Sequence, residues 1–187
     1  MRTTLFISLC TIPFLTSANE FAPQLSELAT SKIDTLVNMQ VVIDAVNAQN
    51  TKHAQLSQAE IDSLDKQWRS EVSGSSSPLI DEVLSNSLSA TLAQVQEESG
   101  GLYTEIFVMD NKGLNVGQSA VTSDYWQGDE AKWKETYMKG AKAIHISEVE
   151  EDESTQTFQS QVSYSITDPA SGNVIGAITV GVNVEEL

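Results

Sequence analysis

The sequence predicts an α+β fold: an antiparallel sheet with a long N-terminal helix packed against it. Three observations predict it. Before Gly101, apolar residues recur in steps of three and four, the spacing of one helix face. After Gly101 the chain changes to short runs rich in β-formers. Those runs are joined by short turns, which only antiparallel neighbours can use.

Each element can be justified in order. From Pro23 to Asn50, residues Leu25, Ala29, Ile33, Leu36, Met39, Ile43 and Val46 form one apolar stripe, so a single helix of roughly 25 residues is expected. Ser57 followed by Glu60 is a capping box, and Ile61, Leu64, Trp68 and Val72 line the helix it opens. Ser73 to Ser77 is a break, and Pro78 suits a first helical position. Leu79, Val83, Leu88, Leu92 and Val95 carry the next helical stretch, interrupted near Asn86 and stopped by Gly100-Gly101. Leu102 to Met109 reads as a strand, and Asp110-Asn111-Lys112-Gly113 turns it into Leu114 to Gln118. Trp126 to Met138 reads as a helix, with Asp129 and Glu130 favouring its first turn. Ala143 to Val149 and Thr157 to Thr167 read as strands around an acidic connection, Glu150 to Gln156. Asp168 to Gly172 is a turn, and Val174 to Val184 is the last strand. The long helix is the element expected to cover the sheet.

Met1-Arg2, the apolar run Leu5 to Leu15 and then Thr16-Ser17-Ala18 have the layout of a secretory signal peptide cleaved after Ala18. The run is too short to span a bilayer, which takes about 20 apolar residues. Leu9 before Cys10 is not the small residue of a lipoprotein anchor. The expected organisation is a leader over 1–18, a helical subregion over 19–100 and a sheet with its pocket helix over 101–187, the last two forming one globular domain. A periplasmic location follows, with no membrane insertion.

With 40% apolar side chains the chain can build a core, and a formal charge of −16 excludes nucleic-acid binding through a general basic field. One cysteine excludes an intrachain disulfide. The sequence lacks a phosphate loop, a GxGxxG helix opening, a His-Glu-x-x-His pair and a GxSxG elbow. Glu148, Glu150, Glu151, Asp152 and Glu153 do not reproduce an EF-hand spacing, so neither metal nor cofactor is expected. The expected class is a non-enzyme.

Asp124 to Tyr137 stands apart, with two of the three tryptophans and two of the four tyrosines. On a helix, Trp126, Trp133 and Tyr137 would share one face. Two readings stay open. The rings glue that helix to the sheet, or they wall a small pocket beside it.

The chain resembles the extracytoplasmic Cache (PDC) sensor family, whose members have PAS-like folds. The resemblance lies in Leu56 to Asp62 with Trp68, Tyr103 to Gly117, Asp124 to Trp133 and Gly172 to Val184. It implies a pocket for small metabolites between sheet and connector. Tyr125, Trp126 and Trp133 would line it, with Asp124, Tyr137, His145 and Ser147 beside them. Two departures stand out. No arginine follows Arg69 to clamp a carboxylate, leaving Lys132, Lys134, Lys139 or Lys142 for that role. The chain also ends at Leu187 without the membrane helix and output domain of such receptors. A free-standing sensory module is therefore expected, acting with a membrane sensor kinase, cyclase or transporter, with the long helix offering a face for a homodimer. Aromatic faces, acidic charge and the missing arginine favour an amine-bearing or neutral ligand. The alternatives are a secreted enzyme with an unrecognised active site, and a structural or interaction domain without ligand.

Overall fold

The N-terminal helical run is not one rod. The computed structural model describes residues 19–152 and 157–187, so the predicted leader and 153–156 of the acidic connection lie outside the described residues. Helix α1 (Ala22–Leu28) passes through a π-turn (Ala29–Ile33) into α2 (Asp34–Val37) and then breaks before α3 (Gln40–Lys52). The Thr30 and Ser31 hydroxyls donate back to the Ser26 and Glu27 carbonyls, a habit that bends helices. The wider turn keeps Leu25, Ala29 and Ile33 in line on the buried face. The break is at Met39, which is extended (φ −66°, ψ 135°). Before it, the Asn38 amide donates to the Asp34 carbonyl at 2.6 Å, occupying an acceptor at the helix end. The outward residues Glu27, Thr30 and Thr35 are exposed and polar, so a homodimer formed there would pair polar surfaces.

Helix α4 (Gln58–Val72) starts at the predicted capping box, with Ser57 and Glu60 bonded reciprocally. Its predicted face needs one correction. Val72 is exposed, and Glu71 is buried in its place. The Glu71 carboxylate accepts the Leu79 and Ile80 N–H groups at 2.8 and 3.0 Å, capping α5 (Pro78–Leu84). Asn86 caps α6 (Ser87–Glu98) through the Ser89 N–H at 2.8 Å, so the predicted interruption is real. Gly100 and Gly101 take φ of +65° and +101°, which L side chains rarely adopt, and lead into β1 (Tyr103–Met109).

β1 pairs antiparallel with β2 (Asn115–Gln118) across the predicted turn. The Asp110 carboxylate accepts the Lys112 and Leu114 N–H groups at 2.8 and 3.0 Å, and Gly113 supplies φ +82°. The remaining strands are β3 (Ile144–Ile146), β4 (Glu150–Asp152), β5 (Thr157–Thr167) and β6 (Val174–Asn183). The order is β2-β1-β6-β5-β3, with β4 paired to β5 and every pairing antiparallel. The start of the predicted acidic connection is thus a strand. β5 extends past β3 and offers backbone partners to residues 150–152. β3 is shorter than expected, although backbone bonds at Ser147 and Ala143 continue the pairing on both sides.

One sheet face is apolar. Ile106, Val108, Val162, Ile166, Ile178 and Val180 pack against α1 to α3 and α6 in the principal core. Residues 131–139 of the connector pack on the other face, through Trp133 and Tyr137 over Phe107, Met109 and Ala177, contrary to the expectation that the long helix alone would cover the sheet. Nor is 126–138 one helix. Only Ala131–Lys134 (α7) is α-helical, followed by a 3₁₀ turn at Tyr137–Lys139. The start of the segment is instead tied to distant elements: Trp126 N–H donates to Asp65 and Gln127 N–H to the Gly113 carbonyl.

Candidate ligand-binding site

A cavity of about 310 Å³ lies between the connector and the polar face of the sheet. Glu130, Ala131 and Lys132 form one wall, at the start of α7. His145 and Ser147 come from β3 and its continuation, Glu150 from β4, and Gln159 and Gln161 from β5. The β5 residues alternate with Ser160 and Val162, so strand geometry aims them at one face.

The wall is tied together by polar contacts. Lys132 Nζ is 2.8 Å from the Glu130 carboxylate and donates to Gln127 at 3.3 Å. It also lies 5.5 Å from the centroid of the Phe107 ring, within cation–π reach. Gln161 Nε2 donates to Glu105 at 2.8 Å. Thr104 donates its hydroxyl proton to Gln159 Oε1, which fixes the amide orientation. The Ser147 hydroxyl accepts the Gln161 N–H at 2.9 Å and donates to the Glu148 carbonyl, so it is held as a strand-end bracket. Burial holds the His145 imidazole below its ordinary value of 6.5, partly offset by Glu135 and assisted by Lys132. The neutral ring can then both donate and accept hydrogen bonds.

The structure divides the predicted site residues into three groups. His145 and Ser147 line the cavity. Trp133 and Tyr137 stack on each other at 4.8 Å and pack over Phe107, Met109 and Ala177, on the same side of the sheet. The Trp133 indole N–H donates to the Asp110 carbonyl at 3.0 Å. Asp124, Tyr125 and Trp126 lie elsewhere, against α4. Tyr125 stacks on the buried Trp68 at 5.3 Å, and the Trp126 indole N–H donates to the Lys112 carbonyl at 2.8 Å. Trp126, Trp133 and Tyr137 therefore do not share one helix face.

Asp65 organises the second cluster. One of its oxygens accepts the Tyr125 and Trp126 N–H groups, both at 3.0 Å. The other accepts Arg69 Nε at 2.7 Å, and the same guanidinium meets the Asp124 carboxylate at 2.7 Å. Burial, opposed by Arg69, raises the Asp124 carboxyl. Arg69 is thus committed to the scaffold.

Of the four lysines considered for a carboxylate, Lys132 alone lines the cavity. Lys134 donates to the Asp129 carbonyl, and Lys139 pairs with Glu135. Glu130, Gln159 and Gln161 were not picked out from the sequence. For the two glutamines the signal is the two-residue spacing of Gln159, Gln161 and Ser163, which places them on the strand face opposite Val162.

No family model matches the chain, and no curated protein matches it. Similar solved structures exist. The V. cholerae histidine kinase DctB sensor domain is 16% identical, with 89% of this chain and 58% of that one covered and a TM-score of 0.39. The sensory domain of the Campylobacter jejuni chemoreceptor Tlp3 is 14% identical, with coverage of 86% and 66% and a TM-score of 0.42. A domain from a Vibrio parahaemolyticus protein assigned to the sensory box/GGDEF family is 14% identical, with coverage of 88% and 55% and a TM-score of 0.46. The chain spans less than two thirds of the length of each of these chains. The structures it is similar to are sensory domains.

Proposed function

We propose that the chain is a small-molecule-binding sensory module of Cache type, with the cavity over the polar sheet face as its ligand site. One observation carries the reading: Lys132, His145, Gln159 and Gln161 converge on a single cavity from the connector and two strands. Convergent polar groups are what fix a ligand's orientation in a metabolite site, and here they make up nearly the whole lining. The ligand class is amine-bearing or neutral. Glu130 and Glu150 stand at the wall with Glu105 behind Gln161, while Lys132 is already paired with Glu130. This places the ligand preference on carboxylates rather than on the aromatic rings. Among the described residues no helix is long and apolar enough to cross a membrane. Export after cleavage at Ala18, and a membrane sensor kinase, cyclase or transporter as partner, complete the proposal. The site is assigned to ligand binding and not to turnover.

Thermal-shift screening against amines, amino acids and carboxylates, followed by calorimetry, tests the reading, because a ligand of the folded state raises the melting temperature. Amines or neutral metabolites should bind. Glu130→Gln should weaken an amine by about tenfold, the size of one charge-assisted hydrogen bond. The same change releases Lys132 and should improve succinate binding. Tight citrate or succinate binding by the unaltered chain, with no response to amines, would sink the assignment.

A further inference from the structure

A second cavity, of about 450 Å³, lies on the helical side of the molecule and shares no lining residue with the first. Its apolar walls are Leu56, Leu64, Leu79, Val83 and Val116. His53 and Tyr125 also line it, and both are more than nine-tenths buried. An ion pair between the exposed side chains of Lys52 and Glu82, at 2.8 Å, stands at its edge.

The two buried polar residues are each half satisfied. His53 Nδ1 lies 3.3 Å from Asp110 Oδ2, and that carboxylate is completely buried. Asp110 also accepts Gln49 Nε2 at 3.0 Å and the backbone N–H groups of Lys112 and Leu114. Surrounded by donors, Asp110 acts as an acceptor, so the His53 Nδ1 that faces it is the donor, and Nε2 is turned away from that carboxylate. Nε2 has no hydrogen-bond partner among the described residues. The Tyr125 ring is fixed by its stack on Trp68, and its hydroxyl likewise has no partner among the described residues. Both residues line the one cavity, so Nε2 and the hydroxyl stand at its wall as open hydrogen-bonding positions.

We propose that this cavity is a second ligand site, taking a neutral apolar molecule with one hydroxyl, a phenol or an alcohol. That hydroxyl donates to His53 Nε2 and accepts from Tyr125, while the leucines and valines bury the hydrocarbon. Negative charge is excluded there. Burial first, then the Asp110 and Glu82 carboxylates, push the Tyr125 hydroxyl well above the usual phenol value, and the same field opposes a carboxylate ligand.

The probe is 2-naphthol, titrated into the full chain while the His53 imidazole is followed by NMR. Dissociation in the range below about 1 mM is expected. 2-Naphthoate, which keeps the rings and replaces the hydroxyl by a charge, should bind at least about tenfold more weakly. Tyr125→Phe keeps the stack on Trp68 and removes only the hydroxyl; it should weaken 2-naphthol by about fivefold. Glu130→Gln, in the other cavity, should leave 2-naphthol binding unchanged, so failure at one site is distinguishable from failure at the other. Absence of 2-naphthol binding, equal or tighter naphthoate binding, or indifference to Tyr125→Phe would each overturn the proposal.

Discussion

The two faces of the sheet are made from alternate residues of the same strands, and their chemistry is opposite. On the helix side, β5 and β6 present Val162, Tyr164, Ile166, Ile178 and Val180, all in the principal core. On the connector side the same strands present Gln161, Ser163, Ser165 and Thr179, of which Ser163, Ser165 and Thr179 are equally buried. Burial alone therefore does not distinguish the faces. The first gains stability from apolar area removed from water. The second gains little from area and must satisfy each polar group, as the Ser163 and Thr179 hydroxyls do for each other at 2.9 Å. A sheet can keep one face for cohesion and spend the other on oriented polar groups.

Three measurements would break or sharpen this contrast. Ile178→Ala on the apolar face should cost about 2–5 kcal/mol in denaturant unfolding, through lost transfer energy and the cavity left behind. A cost under about 1 kcal/mol would mean that this face is not the principal core. Ser163→Ala on the polar face should cost less, about 1–2 kcal/mol, because it strands the buried Thr179 hydroxyl. Double-mutant analysis with Thr179→Val should recover part of that loss, and full additivity would show the two hydroxyls to be independent.

The smallest effect concerns His145. Its folded-state pKa is depressed, so the unfolded chain binds more protons and stability falls as pH drops through 6.5 and below. His145→Gln should flatten the part of the pH profile lying below that value. A profile unchanged by the substitution would show that His145 does not supply this pH dependence.

The helix boundaries between Ser57 and Gly101 were legible because their signals are local, whereas the single rod expected over Pro23 to Asn50 is broken at Met39. The Ser57 capping box, Pro78 at a helix start, the Asn86 interruption and the Gly100-Gly101 stop each depend on neighbours within a few positions. The hairpin at Asp110 to Gly113 was legible for the same reason. The connector was not. Trp126, Trp133 and Tyr137 carry helical spacing, yet the Trp126 N–H bonds to Asp65 and the Trp133 indole to the Asp110 carbonyl of the hairpin turn. Those partners are distant in sequence, so local propensity gave the wrong element.

The candidate site divides in the same way. Of the residues the family resemblance points to, His145 and Ser147 lie on the wall of the cavity over the polar face, whereas Tyr125 and Trp126 lie against α4. By itself the sequence determined the α+β class, the antiparallel order of the hairpin and final strands, and the absence of a basic surface. These follow from periodicity, turn chemistry and charge, all additive along the chain. Only the tertiary structure decided which face of β5 would line a cavity, that Arg69 would be consumed by Asp65 and Asp124, and that Tyr125 would stack on Trp68. Each of those outcomes is a contact between segments whose separation in sequence carries no periodic signature.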